Sequence, residues 1–285
     1  MAICNRVKII SDSTCDLSPE LIAKYNIDIL PLHILLGENE YEDGKNIAPD
    51  QIYAWSDEHK TTPKTSAPSL ETAIELFRPY VKERREVVCF SISSSMSTSG
   101  NVMRLAAEEL EASDLITVVD SASLSTGIGL LVIEASIMAE NHCSAKEIVS
   151  AIETLKPKVR ASFVVDTLTY LYRGGRCNAV AAMAGSVFKL HPKIVVENGA
   201  MNADKKYRGK IAAVIMAYVK DMEEDLKDAR RDRVFITHSG CDRAIVDAVH
   251  SYLESLGVFH EILETQAGGV ISRCEKSPSK ALISS

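Results

Sequence analysis

Apolar residues fall in short runs along the first half of the chain. Each run gives way to polar residues and then to a stretch with apolar positions three or four apart. The runs at 7–10, 27–36, 87–93 and 115–120 predict strands, and the spaced patterns at 18–25, 50–59, 69–83, 101–112 and 124–141 predict helices. Leu70, Ile74, Phe77 and Val81 give the 69–83 helix its apolar stripe. Ser18 followed by Pro19 marks a helix start, because proline fits the first helical position after a serine cap. Pro31 breaks the run at 27–36, and the acidic, glycine-containing stretch 37–46 predicts a solvated loop. The 124–141 segment is apolar on nearly every side, which predicts a buried helix. Strands alternating with helices predict a parallel sheet covered on both faces.

From about 161 the rhythm changes. Apolar runs at 161–166, 193–197, 233–238 and 260–265 alternate with helical patterns near 179–188, 210–228 and 242–256. The expected fold is α/β with two domains, 1–160 and 161–285, and a ligand cleft or tunnel between them.

Composition narrows the function classes. The chain of 285 residues is 46% hydrophobic and 25% charged, as expected for a globular protein with a substantial core. Its net charge of −7 is uneven: residues 1–160 hold 15 Lys/Arg against 24 Asp/Glu, and residues 161–285 hold 17 against 15. That balance argues against a general nucleic-acid binder and leaves room for a basic surface on the second half. Seven scattered cysteines without a CxxC pair argue against a disulfide framework or a zinc site, and a reducing cytoplasm is expected. No apolar leader and no apolar run near the ~20 residues of a membrane span is evident.

Between Phe90 and Asn101 the chain gathers Ser91, Ser93, Ser94, Ser95, Ser97, Thr98 and Ser99 at the end of a predicted strand and the start of a predicted helix. Hydroxyls, free backbone N–H groups and a helix dipole suit an anion there, and a polar turn with one capping serine is the simpler reading. Pro63-Lys-Thr-Ser-Ala-Pro68 places Thr65 and Ser66 between two prolines. It reads as a stiff polar turn able to donate to a carboxylate, or as an ordinary loop with Ser69 capping the next helix. Gly127-Ile-Gly129 lies inside the buried helical stretch rather than on a strand-to-helix turn, so a nucleotide cofactor is poorly supported, and no phosphate loop, GxSxG elbow or HExxH helix is present. Arg173-Gly-Gly-Arg176 and Lys205-Lys-Tyr-Arg208-Gly-Lys210 are basic turns, either solvated or placed to meet a phosphate or an acidic partner.

Taken in order, Ser11-Asp-Ser-Thr-Cys-Asp-Leu17, Pro63-Lys-Thr-Ser-Ala-Pro68, Ile92-Ser-Ser-Ser-Met-Ser97, Val119-Asp-Ser-Ala-Ser123, Leu171-Tyr-Arg-Gly-Gly-Arg176 and Tyr207-Arg-Gly209 resemble the DegV family of bacterial fatty-acid-binding proteins. The resemblance runs from Ser11 to about Ile271. It implies a two-domain α/β protein that holds one long-chain fatty acid in an apolar tunnel and catalyses nothing itself. A separate fatty acid kinase would phosphorylate the presented carboxyl group, and lipid exchange would involve transient membrane contact. Carried across by motif, Thr65 and Ser93 hold the carboxylate, with Ser66, Ser94 and Ser97 supporting. Arg173, Arg176 and Arg208 meet phosphate or the kinase. No metal or cofactor is implied. The C-terminal segment departs from the family: Cys274, or Arg273 after one deletion, stands where many members carry a head-group histidine. A different class of function also fits the residues. A small-molecule phosphotransferase, or a serine hydrolase pairing the Ser93–Ser97 loop with His238, uses the same loop, and another apolar anion is a further ligand class.

Overall fold

The computed structural model describes residues 7–165, 190–272 and 281–284, the last four as backbone only. The first part runs β1 (Lys8–Asp12), α1 (Pro19–Lys24), β2 (Asp28–Leu30), β3 (His33–Leu36), β4 (Asn39–Glu42), α2 (Pro49–His59), β5 (Lys64–Ser66), α3 (Leu70–Lys82), β6 (Val87–Ser91), α4 (Ser99–Glu109), β7 (Ile116–Asp120), α5 (Thr126–Glu140) and α6 (Ala145–Leu155). The second runs β8 (Ala161–Val164), β9 (Leu190–Glu197), β10 (Ala200–Arg208), α7 (Ile211–Asp221), α8 (Glu223–Lys227), β11 (Arg233–His238), α9 (Arg243–Leu256), β12 (Glu261–Gln266), α10 (Gly269–Ser272) and β13 (Ala281–Ser284). Arg173, Arg176, Cys274 and the helix expected near 179–188 lie outside the described residues.

Four parallel strands in the order β2-β1-β6-β7 form the first sheet. Its strands are apolar on both faces because both faces are covered, and side chains alternate between them. Ile10, Val87 and Cys89 meet Phe77 of α3 and Met103 of α4. Ile9, Val88 and Phe90 meet α5 and α6 through Ile128, Leu131 and Ile152. The second sheet has six strands in the order β10-β9-β8-β13-β11-β12, parallel at β11–β12 and antiparallel at the other pairs. Phe163, Ile194 and Phe235 share the core around α5, while Val164, Val234 and Ile236 pack on α7 and α9. Helix α5 therefore lies between the two sheets, which is why its sequence is apolar all round. Gly129 lets it approach the turn after β1: a Cβ there would sit 2.8 Å from Leu17 Cδ2 and 3.1 Å from the Cys15 carbonyl oxygen. Gly129→Ala is expected to cost about 1–3 kcal/mol of stability, read as a lower denaturant midpoint.

Pro31 does more than interrupt a strand. The two halves of the 27–36 run join different sheets, β2 in the parallel one and β3 in a three-stranded antiparallel sheet ordered β4-β3-β5. Three expectations are corrected here. The stretch 37–46 is a hairpin arm rather than a solvated loop, with Asp43 only 3% exposed at its end. The Pro63–Pro68 turn contains β5, whose hydrogen bonding to β3 holds it extended. In the second half, Lys205 to Arg208 belong to β10, an edge strand with a register shift between Ala203 and Lys206, rather than to a basic turn. Arg208 is exposed on that strand.

Candidate functional site

In open parallel sheets, ligands collect at the carboxyl ends of the strands, and the serine loop lies at that edge. Asp12, the last residue of β1, organises it. Its fully buried carboxylate accepts from Thr14 N (3.2 Å) and the Thr14 hydroxyl on one oxygen, and from Ile92 N (2.9 Å) and Ser99 Oγ (2.8 Å) on the other. Burial pushes this carboxyl above the usual carboxylate range, and the hydrogen bonds from Thr14, Ile92 and Ser99 pull against it. One acidic side chain thus fixes both ends of the loop, entering at Ile92 and leaving at Ser99.

Six of the loop's backbone donors are spent within the protein. Ser93 N donates to Ser123 O, Ser94 N to the Asp120 carboxylate, Ser95 N to Ser93 Oγ, Met96 N and Ser97 N to Ser93 O, and Ser99 N to Ser97 Oγ. Those six N–H groups are therefore not free for an anion, and what these residues offer is hydroxyl chemistry. Ser93 is buried, Ser97 half-buried and Ser94 exposed. Ser93 Oγ donates to the carbonyl of Gly199 at 2.6 Å and lies 3.1 Å from Ser95 Oγ, which donates to the same carbonyl. Gly199 sits at the β9–β10 turn with φ +77°, and a Cβ there would fall 2.6 Å from Ser93 Oγ. That turn can rest on the serine loop only as glycine. Ser95 and Gly199 are not legible as partners in the sequence, since 104 residues separate them.

Thr65 lies in the small sheet, on β5. It pairs with Ile34 across β5 and β3, and directly opposed residues share a face. Ile34 is fully buried in an apolar cluster with Leu32, Leu36, Ile47, Ile52 and Val270, so Thr65 takes the cluster side of the strand. Ser66, one residue on, takes the opposite face beside His33 and is exposed. Strand alternation thus separates the Thr65 and Ser66 side chains, which a simple turn would place together.

His238 hydrogen-bonds Glu264 through Nε2 at 3.2 Å, and Arg243 Nη1 holds the same Glu264 oxygen at 2.6 Å. Among the described residues no hydrogen bond joins His238 to the Ser93–Ser97 loop. Glu264 is held below the usual range: burial opposes this, and hydrogen bonds from Arg243 and His238 outweigh it. No cluster of metal-ligating side chains occurs among the described residues, and none of their helices is long and apolar enough to cross a membrane.

A family model described as "Uncharacterised protein, DegV family" matches residues 6–273. The chain belongs to the DegV family. Among curated relatives, a DegV domain-containing protein of Clostridium perfringens is 33% identical over 205 residues, covering 72% of this chain and 73% of its own. A protein of Thermotoga maritima named fatty acid-binding protein is 30% identical over 269 residues, 90% of each chain. Among solved structures, a DegV family protein of Thermus thermophilus described by its fatty acid binding superposes with a TM-score of 0.88 at 28% identity, covering 98% of both chains. A stearic acid-binding protein of Eubacterium ventriosum gives 0.84 at 29% identity, covering 98% of this chain and 97% of its own. The α/β architecture of this chain is thus the DegV architecture, and fatty acids are bound by DegV relatives of known structure.

Proposed function

We propose that this chain binds one long-chain fatty acid in an apolar tunnel between domains 1–160 and 161–285, and presents the carboxyl group to a separate fatty acid kinase in the cytoplasm. The whole-length likeness to the Thermus thermophilus fatty-acid-binding structure carries this reading. Thr65 and Ser93 hold the carboxylate, with Ser94 and Ser97 alongside, and Ser66 contributes less because it faces away. The exposed Arg208 is offered to the kinase. Arg173 and Arg176, outside the described residues, keep the phosphate or kinase contact that the family resemblance implies, and Cys274, also outside them, meets the head group in place of the family's histidine.

The energetics suit a carrier. Each buried CH₂ contributes ~0.8 kcal/mol, so the alkyl tail supplies most of the affinity. A carboxylate at the buried end needs several donors to offset its desolvation. Hydroxyls supply them without a fixed cation that would trap the anion, which suits a group destined for phosphorylation. Native mass spectrometry of protein purified gently from a bacterial host is expected to show the chain carrying one long-chain fatty acid. Protein recovered only empty would overturn the reading. The loaded protein is expected to turn over ATP only when a fatty acid kinase is added, and turnover by the chain alone would favour the transferase alternative.

A further inference from the structure

The small antiparallel sheet and α2 form a layer of their own, and the apolar cluster inside it takes one residue from elsewhere, Val270. The polar ties of this layer run through Asp43. Its backbone N–H donates to Leu32 O at 2.8 Å, which closes the layer on itself. Its carboxylate, 3% exposed with its residue, faces the main body. One oxygen accepts from Gly269 N at 2.8 Å and the other from Ser13 Oγ at 2.9 Å, and Val270 N also donates to it. Ser13 Oγ in turn accepts from Leu32 N at 3.1 Å.

Each end of this linkage connects to an element that carries a proposed head-group donor. Ser13 follows Asp12, whose carboxylate holds the serine loop at Ile92 and Ser99. Gly269 is seated against Ile34, the cross-strand partner of Thr65: a Cβ on Gly269 would lie 2.6 Å from Ile34 Cδ1, 2.5 Å from Ile52 Cδ1 and 2.9 Å from Asp43 Oδ1. Asp16 holds the preceding residue, accepting from Gly268 N at 2.9 Å. The Gly268-Gly269 turn is thus gripped by two carboxylates, one from each layer, and only Asp43 belongs to the layer that carries Thr65.

We propose that Asp43 is a positioning residue for fatty-acid head-group binding, fixing the layer that carries Thr65 against the body that carries Ser93. The proposal rests on the fatty-acid reading above. Asp43 does not touch the ligand; it sets the separation of the two hydroxyls that do. A carboxylate receiving two backbone N–H groups and one hydroxyl is suited to this, because charge-assisted bonds are short and directional. Loss of Asp43 leaves Val270 still apolar and still able to plug the cluster, so the layer is retained and its register is what loosens.

The test compares myristic acid with myristyl alcohol, each competed against a fluorescent fatty acid on the full chain. Asp43→Ala is expected to weaken the acid about tenfold or more and the alcohol much less, because only the charged head group depends strongly on placed donors. In a double-mutant cycle, Asp43→Ala is expected to lose most of its effect once Thr65→Ala is present, since residues that act through one another are not additive. Equal weakening of acid and alcohol, or simple additivity with Thr65→Ala, would overturn the assignment. Asp43→Asn keeps the shape and one acceptor for Gly269 N, and about threefold weakening is expected of it. Should Asp43→Ala fail to fold, Asp43→Asn and Ser13→Ala carry the same cycle, and non-additivity or additivity with Thr65→Ala decides it in the same way. Wild-type protein that binds neither probe would sink the fatty-acid reading itself, whereas wild-type binding matched by every Asp43 variant would sink only this proposal.

Discussion

Replacing Thr65 and Ser93 together by alanine is expected to weaken fatty-acid binding by about 2–4 kcal/mol, at about 1–2 per lost hydrogen bond to a charged head. The effect is large because the two hydroxyls sit on different elements and their immediate neighbours, Ser66 and Ser94, are exposed. Thr65 takes the cluster face of β5, and its neighbour Ser66 takes the other. Ser93 is buried with backbone N–H groups around it already committed. The Ser93 proton has somewhere to go when an acid arrives. Both Ser93 and Ser95 donate to the Gly199 carbonyl, so Ser93 can turn to the carboxylate while Ser95 keeps that carbonyl satisfied. No buried acceptor is stranded by the exchange, which keeps its cost low. Isothermal titration or probe displacement on the folded double variant checks this, with an unchanged melting temperature showing that the scaffold survives. Wild-type affinity in that variant would remove both residues from the head-group site.

The parts of the fold that the sequence reveals are those where local pattern and tertiary burial agree. Helix α5 is readable because a helix between two sheets must be apolar all round, and α3 because Phe77 lies buried within its stripe, although Leu70 at the head of that stripe is exposed. Helix α1 shows its start through Ser18, whose side chain accepts from Leu21 N. Two polar edge strands are among the elements that escape. Strand β4 reads Asn-Glu-Tyr-Glu, and β10 is polar with a shift in register at its middle, so neither carries the apolar alternation that marks a strand. Their pairing depends on backbone hydrogen bonds to a neighbour, which no side-chain pattern encodes. Helix α6, not among the expected elements, is different: Ser144 and Glu147 form a capping box and Ile148 and Ile152 are buried, so a local signal for it does exist.

The candidate site divides the same way. Its hydroxyls are visible as a local density of serine and threonine. The groups that set their geometry are not, because each acts across a long stretch of chain: Asp12 on Ile92 and Ser99, Asp43 on Gly269, Gly199 on Ser93. The Ser11-Asp-Ser-Thr motif carries two of these functions in adjacent residues. Asp12 grips the serine loop, and Ser13 grips Asp43. Asp12, Ser13 and Thr14 therefore serve the framework that holds the serine loop and the small sheet.

Asp12→Ala is accordingly expected to cost about 2–4 kcal/mol of unfolding free energy and to abolish tight fatty-acid binding with it. Three elements meet at this carboxylate, so its removal leaves Ile92 N and Ser99 Oγ, both buried, without an acceptor. A stranded buried donor costs roughly 1–3 kcal/mol, and relief from burying the acid itself offsets part of the total. Thr14 suffers less, since it belongs to the same turn as Asp12 and can move with it. A second substitution separates lost hydrogen bonding from simple loss of packing. Ser99→Ala in the Asp12→Ala background removes one stranded donor, and part of the lost stability is expected to return, because deleting both partners of a buried bond costs less than deleting one. Chemical denaturation of the two variants reads the difference. If Ser99→Ala instead adds its full cost to that of Asp12→Ala, the carboxylate is not what organises the serine loop, and the hydroxyls at the sheet edge owe their placement to packing alone.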